Sequence, residues 1–293
     1  MNRSTGNPSF PPALALVIGV LAASTASPVI RLAQTEVNSL AIAAWRLTLA
    51  SLILAPVTLA TRREELQALS RKDWLLMAGS GILLAVHFAT WISSLAYTSV
   101  AASVVLVSTS PLFVGLGSYL LLKERLSRSL VLGLVIATVG SGIIGLDSAG
   151  EGTHRMIGDL LALAGALSVA GYFLVGRRLR ARLSLLAYVF PVYGVAAVTL
   201  MAVAAMARVP LSGYLPIHWL WLLLLALGPQ ITGHSSLNWA LRHLPATYVT
   251  LAVLGEPIGS SILAWVILRE VPSLLTFIGG AVVLTGIAIA SRE

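Results

Sequence analysis

Ten mostly apolar runs dominate the chain, each separated from the next by a short stretch carrying charge, proline or glycine: 12–32, 38–60, 74–96, 99–122, 129–146, 156–176, 184–206, 217–240, 246–268 and 273–290. A helix needs about 20 such residues to cross a hydrocarbon core of about 30 Å, so the runs have the length of membrane spans. They are continuously apolar rather than alternating, which argues against a barrel, and lipid accepts only helices or closed barrels. The expected fold class is therefore all-α, a polytopic membrane protein with ten transmembrane helices, and the runs are numbered 1 to 10 below.

Composition agrees. Hydrophobic residues make up 57% of the 293 residues and charged residues only 10%, against about 25% charged in ordinary soluble domains. The formal charge is +8, but the cations sit in the gaps between runs rather than along one stripe, so no nucleic-acid partner is implied; the expected partners are the lipid bilayer and a small-molecule substrate. There is no cysteine, which excludes disulfides and thiol chemistry. Arginine far outnumbers lysine beside abundant alanine, a composition that fits a GC-rich bacterium and hence a bacterial inner (plasma) membrane. Ala22–Ser27 resembles a signal-cleavage region, but the long apolar stretch and the nine runs after it favour a retained span.

The cations also set a direction. With ten spans, fourteen fall on one side: Arg3, Arg62, Arg63, Arg71, Lys72, Lys123, Arg125, Arg128, Arg177, Arg178, Arg180, Arg182, Arg242 and Arg292. Arg31, Arg155, Arg208 and Arg269 fall on the other. The positive-inside rule then places both termini in the cytoplasm.

At an offset of 146 the chain aligns with itself without a gap: Pro111 with Pro257, Lys123-Glu124 with Arg269-Glu270, Ser127 with Ser273, Gly133 with Gly279 and Gly140 with Gly286. A duplicated five-helix unit follows. Five is odd, so the second copy enters the membrane from the opposite side, giving two inverted five-helix repeats of the kind secondary carriers use, with the substrate near the midplane. The domain organisation expected is a cytoplasmic tail over 1–11, a first repeat over 12–146, a linker over 147–155 and a second repeat over 156–290.

The stretches "SPLFVGLGSYLLLKERLS", "GEPIGSSILAWVILREVPS" and "WRLTLASLILAP" resemble the EamA repeats of the drug/metabolite transporter superfamily, over nearly the whole chain. That resemblance implies a ten-helix carrier in which spans 1–4 and 6–9 surround a central cavity and spans 5 and 10 lie at the periphery. Overall similarity is greatest to YddG-type amino-acid exporters, which implies export of amino acids or other small metabolites.

Polar side chains inside apolar runs are the candidate site residues, because each is costly in hydrocarbon. Counting about 1.5 Å per residue places Arg46 about 12 Å below one end of run 2 and Glu256 about 15 Å above the other end of run 9. These depths match, so the two are candidate partners, either as a structural ion pair or as holders of the charged ends of a zwitterionic substrate, with Glu256 also a candidate proton carrier. His87 stands near the midplane one turn before Trp91, and His234 lies in the polar stretch "PQITGHSSLNW" with Gln230. The same count separates the two histidines by about 14 Å in depth, too far to share a metal. Ser24 and Thr25 before Pro28, and Ser108, Thr109 and Ser110 before Pro111, are further cavity candidates, each with the alternative of bonding back to its own helix. Among the aromatics, Trp91, Tyr97, Tyr172, Tyr188, Tyr193 and Tyr248 are candidate walls, whereas Trp74, Trp219 and Trp221 read as interfacial anchors.

Pro28, Pro111, Pro191 and Pro257 are candidate hinges, since each frees a backbone acceptor inside a run. Glycine and alanine recur in runs 5, 6 and 10, which suits close packing inside one chain, or a homodimer through helices 5 and 10 instead of a monomer. No P-loop, HExxH or Gly-rich nucleotide motif is present, so neither catalytic residues nor a metal or cofactor is expected and the chain does not read as an enzyme. The expected activity is carrier-mediated export by alternating access. A multidrug or nucleoside exporter of the same superfamily is the alternative within transport, and a channel-like or intramembrane enzyme scaffold the alternative outside it.

Overall fold

The computed structural model describes residues 10–98, 100–124, 126–146, 155–269 and 274–290. Most of the tail over 1–11 and of the linker over 147–155 therefore lies outside the described residues. Among those described there is helix and turn but no strand. Seven helical rods are long and apolar enough to cross a membrane: Pro12–Ala33, Ser39–Thr61, Arg71–Ser94, Ser103–Leu122, Met156–Arg180, Leu185–Met206 and Ala246–Ile267. Runs 5 and 10 form the helices Arg128–Leu146 and Leu274–Ala290. Run 8 is composite, with α-helices Pro216–Leu225 and Ser235–Ala240 joined by a π-helical stretch over Ala226–His234.

The ends of these helices are written in local chemistry. The Asn38 side chain accepts a hydrogen bond from the Leu40 amide to start Ser39–Thr61, and Ser70 with Asp73 forms a reciprocal capping box ahead of Arg71–Ser94. Runs 4 and 9 end on residues in the left-handed region, Lys123 at φ 55° and Arg269 at φ 61°. These two positions are related by the 146-residue offset, so the repeat extends to an unusual backbone turn that glycine would more commonly supply.

Leucines and valines such as Leu52, Leu121, Val198 and Leu220 coat the outside. The interior contains Tyr172, Tyr188, Tyr193 and Phe88, all buried, with the three tyrosine hydroxyls satisfied from neighbouring helices. Tyr188 Oη lies 2.8 Å from Ser80 Oγ, Tyr193 Oη lies 3.2 Å from Ser235 Oγ, and Asn238 Nδ2 donates to Tyr172 Oη. Tyr188→Phe removes one such neutral bond and is expected to lower stability by about 1 kcal/mol while leaving transport intact; a thermal unfolding scan of the solubilised protein beside a transport assay checks both.

Runs 5 and 10 pack against each other beside the main bundle, around their own apolar cluster that includes Leu134, Ala137 and Val283. Their glycines make this possible. A Cβ placed on Gly133 would stand 2.5 Å from the Gly286 carbonyl oxygen, and one on Gly140 would stand 2.8 Å from that of Gly279. The partners cross over by the repeat offset, 133 with 286 and 140 with 279, so the two helices are antiparallel and related by a pseudo-twofold. The small-residue face of each helix is covered by the other within one chain.

Three runs are interrupted, each just before a proline. Run 1 breaks at Thr25 between Pro12–Ser24 and Ala26–Ala33, run 4 between Val100–Val107 and Ser110–Gly117, and run 9 between Ala246–Val253 and Glu256–Leu268. Proline lacks the amide that would continue the ladder and is well accepted in the first turn of a restarted helix. Pro191 differs, since it stands inside the unbroken helix Leu185–Met206. Its missing bond is absorbed by run 7 without a change of element.

Candidate functional site

The three breaks face one another across a central cavity. Ala23 and Ala26 flank the break in run 1, Val107, Ser108 and Ser110 that in run 4, and Val253 and Glu256 that in run 9; all of them line the cavity. Arg46, His87, Trp91, Val169, Phe173, His234 and Leu237 complete the wall. Runs 1, 2, 3, 4, 6, 8 and 9 thus contribute, whereas run 7 does not reach the lining and supports it from behind through Tyr193. Ser110 and Glu256 occupy the same position of the two repeats, each first in a restarted helix. An anion is favoured there by the helix dipole, which gives a physical reason for a carboxylate at this depth.

Arg46 is the dominant feature. Its side chain is 1% exposed, its Nε donates to Gln230 Oε1 at 2.9 Å, and its guanidinium lies 4.2 Å from the centroid of the Phe88 ring. Nη1 is buried without a partner among the described residues. The expected ion pair with Glu256 is not formed; a neutral amide holds Arg46 instead. The reason lies in run 8, where the π-helical stretch widens the helix and turns Gln230 toward run 2. Gln230 itself is not part of the lining and acts by fixing the arginine.

The histidines also depart from expectation. Their rings are 6.3 Å apart between centroids rather than separated by about 14 Å in depth. Depth counted along upright α-helices ignores tilt and the tighter rise of a π-helix, and both act here. His87 Nδ1 lies 2.9 Å from the Gly165 carbonyl oxygen. A carbonyl only accepts, so Nδ1 carries the proton in the neutral ring and Nε2 is an acceptor. His87 stacks on Trp91 with centroids 5.7 Å apart, and His234 faces the Phe173 ring at 6.5 Å. Among the described residues no three potential metal-ligating side chains converge.

The remaining candidates divide. Ser108 and Ser110 line the cavity. Ser24 bonds back to the Val20 carbonyl at 2.8 Å and reaches the Glu256 carbonyl of run 9 at 3.4 Å, while Thr25 bonds to Ala22 at 2.7 Å and Thr109 to Leu106 at 2.7 Å within their own interrupted helices. Tyr248 lines a second cavity, of about 320 Å³, with Glu124, Ser127 and Thr247. Tyr172, Tyr188 and Tyr193 form the layer behind the central wall. Trp219 packs edge-on against Trp45, whose Nε1 donates to the Leu211 carbonyl at 2.9 Å. Phe88 and Phe173 were not singled out by sequence reasoning, because an aromatic in an apolar run carries no mark of what stacks on it.

Both ends of the cavity are tied across the two halves of the chain. At the end rich in arginine, Arg177 pairs with Glu124 at 2.8 Å and donates to the Leu241 carbonyl at 2.7 Å. Arg182 forks onto Asp73, and the Ser184 amide donates to Glu65 at 2.7 Å. Arg180, 1% exposed, caps the end of run 8 at the Asn238 carbonyl from 3.0 Å. At the opposite end Thr98 donates to Asp159 at 3.1 Å and Thr35 meets His218 at 3.3 Å. The cavity itself measures about 40 Å³, room for only a few water molecules.

The profile of the EamA-like transporter family matches residues 11–146 and again 156–292. The chain belongs to the EamA-like transporter family. It is 26% identical over 228 residues to the uncharacterized transporter YetK of Bacillus subtilis, covering 76% of this chain and 69% of that one. It is 28% identical over 230 residues to the pseudopaline exporter CntI of Pseudomonas aeruginosa, covering 77% and 78%. A solved crystal structure covers 96% of this chain and 97% of its own, with a TM-score of 0.77 at 21% identity, a likeness of fold. The EamA-like chain is thus a multi-pass membrane transporter with two family repeats.

Proposed function

We propose that this transporter is a secondary carrier, active or facilitative, that exports small metabolites, amino acids foremost, across the bacterial inner membrane by alternating access. Ten spans in two inverted five-helix repeats, with both termini cytoplasmic, carry it. The antiparallel packing of runs 5 and 10 supports the inversion, and the cation count supports the orientation. Their mutually covered glycine faces favour a monomeric working unit. The resemblance to YddG-type exporters points to amino acids, while the similarity to a pseudopaline exporter favours metabolite export more generally.

One observation carries the reading: a buried guanidinium and a half-buried carboxylate face one cavity without pairing with each other. A scaffold that needed only stability would be expected to pair or remove them, because uncompensated buried charge is costly. A carrier can keep both in reserve for a cargo. The cavity is far below the roughly 300 Å³ of an open ligand pocket, so loading requires one end to release. The ties at Arg177–Glu124 and Arg182–Asp73, and those at Thr98–Asp159 and Thr35–His218, are the contacts that would part in turn.

Counterflow in proteoliposomes against amino acids, nucleosides and cationic dyes tests the substrate class. Exchange of one or more amino acids is expected. Exchange confined to nucleosides or dyes would replace the amino-acid reading by the multidrug or nucleoside alternative.

A further inference from the structure

Resting on the reading of the chain as a carrier of small metabolites, we infer that Arg46, held by Gln230 and Phe88, is a carboxylate-binding subsite, and that Glu256 across the same cavity receives the cargo's ammonium group. The arginine is prepared for this on two sides. Gln230 Oε1 fixes Nε at 2.9 Å and the Phe88 face supports the guanidinium plane at 4.2 Å. Neither neutralises the charge. What remains is the Nη edge, with Nη1 buried and unpartnered, and a guanidinium edge is the group that matches the two oxygens of a carboxylate.

The surroundings agree in polarity. Trp91, which lines the cavity, has a buried Nε1–H donor without a partner, and His234 Nδ1, donor or acceptor according to the tautomer, is unpartnered as well. Trp91 lies 6.3 Å from Phe88 and His234 lies 5.2 Å from it, ring centroid to centroid, so both cluster around the ring that carries Arg46. Tyr172 and Tyr193 stand behind Gln230 and are neutral hydroxyls engaged elsewhere. The acceptor groups are the Glu256 carboxylate and the Ser110 hydroxyl, at the restarted helices of runs 9 and 4, with His87 Nε2 beside Trp91. Between the poles the lining is Val107, Val169, Phe173, Leu237 and Val253. The cargo that satisfies this arrangement has adjacent carboxylate and ammonium groups and an apolar side chain. Occupied by such a cargo, the cavity is balanced in charge.

Binding to the purified full-length chain, read as ligand-dependent rise in unfolding temperature, separates the poles with three probes of one skeleton: L-leucine, 4-methylpentanoate, which lacks the amine, and isoamylamine, which lacks the carboxylate. Leucine is expected to bind, 4-methylpentanoate to bind within about tenfold of it, and isoamylamine at least about a hundredfold more weakly, as loss of a charge-assisted bidentate contact implies. Gln230→Glu supplies Arg46 with a permanent counter-charge. It is expected to leave the empty protein at least as stable, to weaken leucine and 4-methylpentanoate by about tenfold or more, and to leave isoamylamine no weaker. Isoamylamine binding equal to leucine, unchanged carboxylate binding in Gln230→Glu, or no binding of either carboxylate would overturn the subsite. If the carboxylates bind while no amino acid exchanges in counterflow, the export reading fails and the subsite stands.

Discussion

Glu256→Gln is expected to leave a folded protein at normal yield and to lower amino-acid transport by about 10- to 100-fold, the worth of one hydrogen bond to a charged group. The first half of that expectation follows from the absence of an Arg46–Glu256 ion pair. Were the pair present, removing the carboxylate would strand a buried guanidinium at about 3–5 kcal/mol and the yield would fall. With Arg46 held by Gln230 at 2.9 Å and by the Phe88 face, the substitution removes a group on the far wall and keeps the volume. Glutamine also tolerates the first position of Glu256–Leu268, so the helix restarts as before. Comparing initial exchange rates at equal reconstituted protein, with size-exclusion profiles as the check on folding, reads both halves. Normal yield with unchanged transport would remove Glu256 from the site; a collapsed yield would restore the structural reading of its charge.

Gly286→Leu is expected to have the largest effect on stability. A Cβ at this position would stand 2.6 Å from the Ala137 amide nitrogen and 2.6 Å from the Gly133 carbonyl oxygen. Both are backbone, so no side chain can swing aside, and runs 5 and 10 must separate. Overpacking of this kind costs about 3 kcal/mol or more, and the folded yield and unfolding temperature should both drop. Gly142→Leu in run 5 is the matched control, since nothing lies within 4 Å of its Cβ position, and there the gain in helix propensity of about 1 kcal/mol should make the change neutral or better. Light scattering on the surviving material adds a further reading. If Gly286→Leu only converts a dimer into a well-folded monomer, the glycine face is an interface between chains rather than within one.

The runs were legible because lipid allows so little else, and the repeat was legible because a gapless offset leaves prolines, glycines and a basic residue in register. The left-handed turns at Lys123 and Arg269 obey the same offset, although neither residue type marks such a turn in sequence. Depth gave the shared cavity of Arg46 and Glu256 but not their lack of pairing, since rise along an axis says nothing about which way a side chain points around it. The distance between His87 and His234 was misjudged for a related reason: tilt and the π-helical stretch of run 8 are set by tertiary packing and by Pro229 within it, not by apolar length. Ser24, Thr25 and Thr109 could not be told from Ser108 and Ser110 in sequence, because the same hydroxyl serves a frayed helix or a cavity according to its rotamer. Prolines 28, 111 and 257 mark real breaks, while Pro191 has the same residue type in a helix whose neighbours hold it straight.

Counterflow with the unmodified chain tests the central claim, a carrier that exposes the Arg46 cavity to one side at a time. Proteoliposomes loaded with excess unlabelled amino acid and diluted into trace labelled amino acid should accumulate label transiently above its equilibrium level, because each outward step returns a loaded site. Equilibration without that overshoot, together with ionic conductance far above carrier turnover, would contradict alternating access and place the chain among channels.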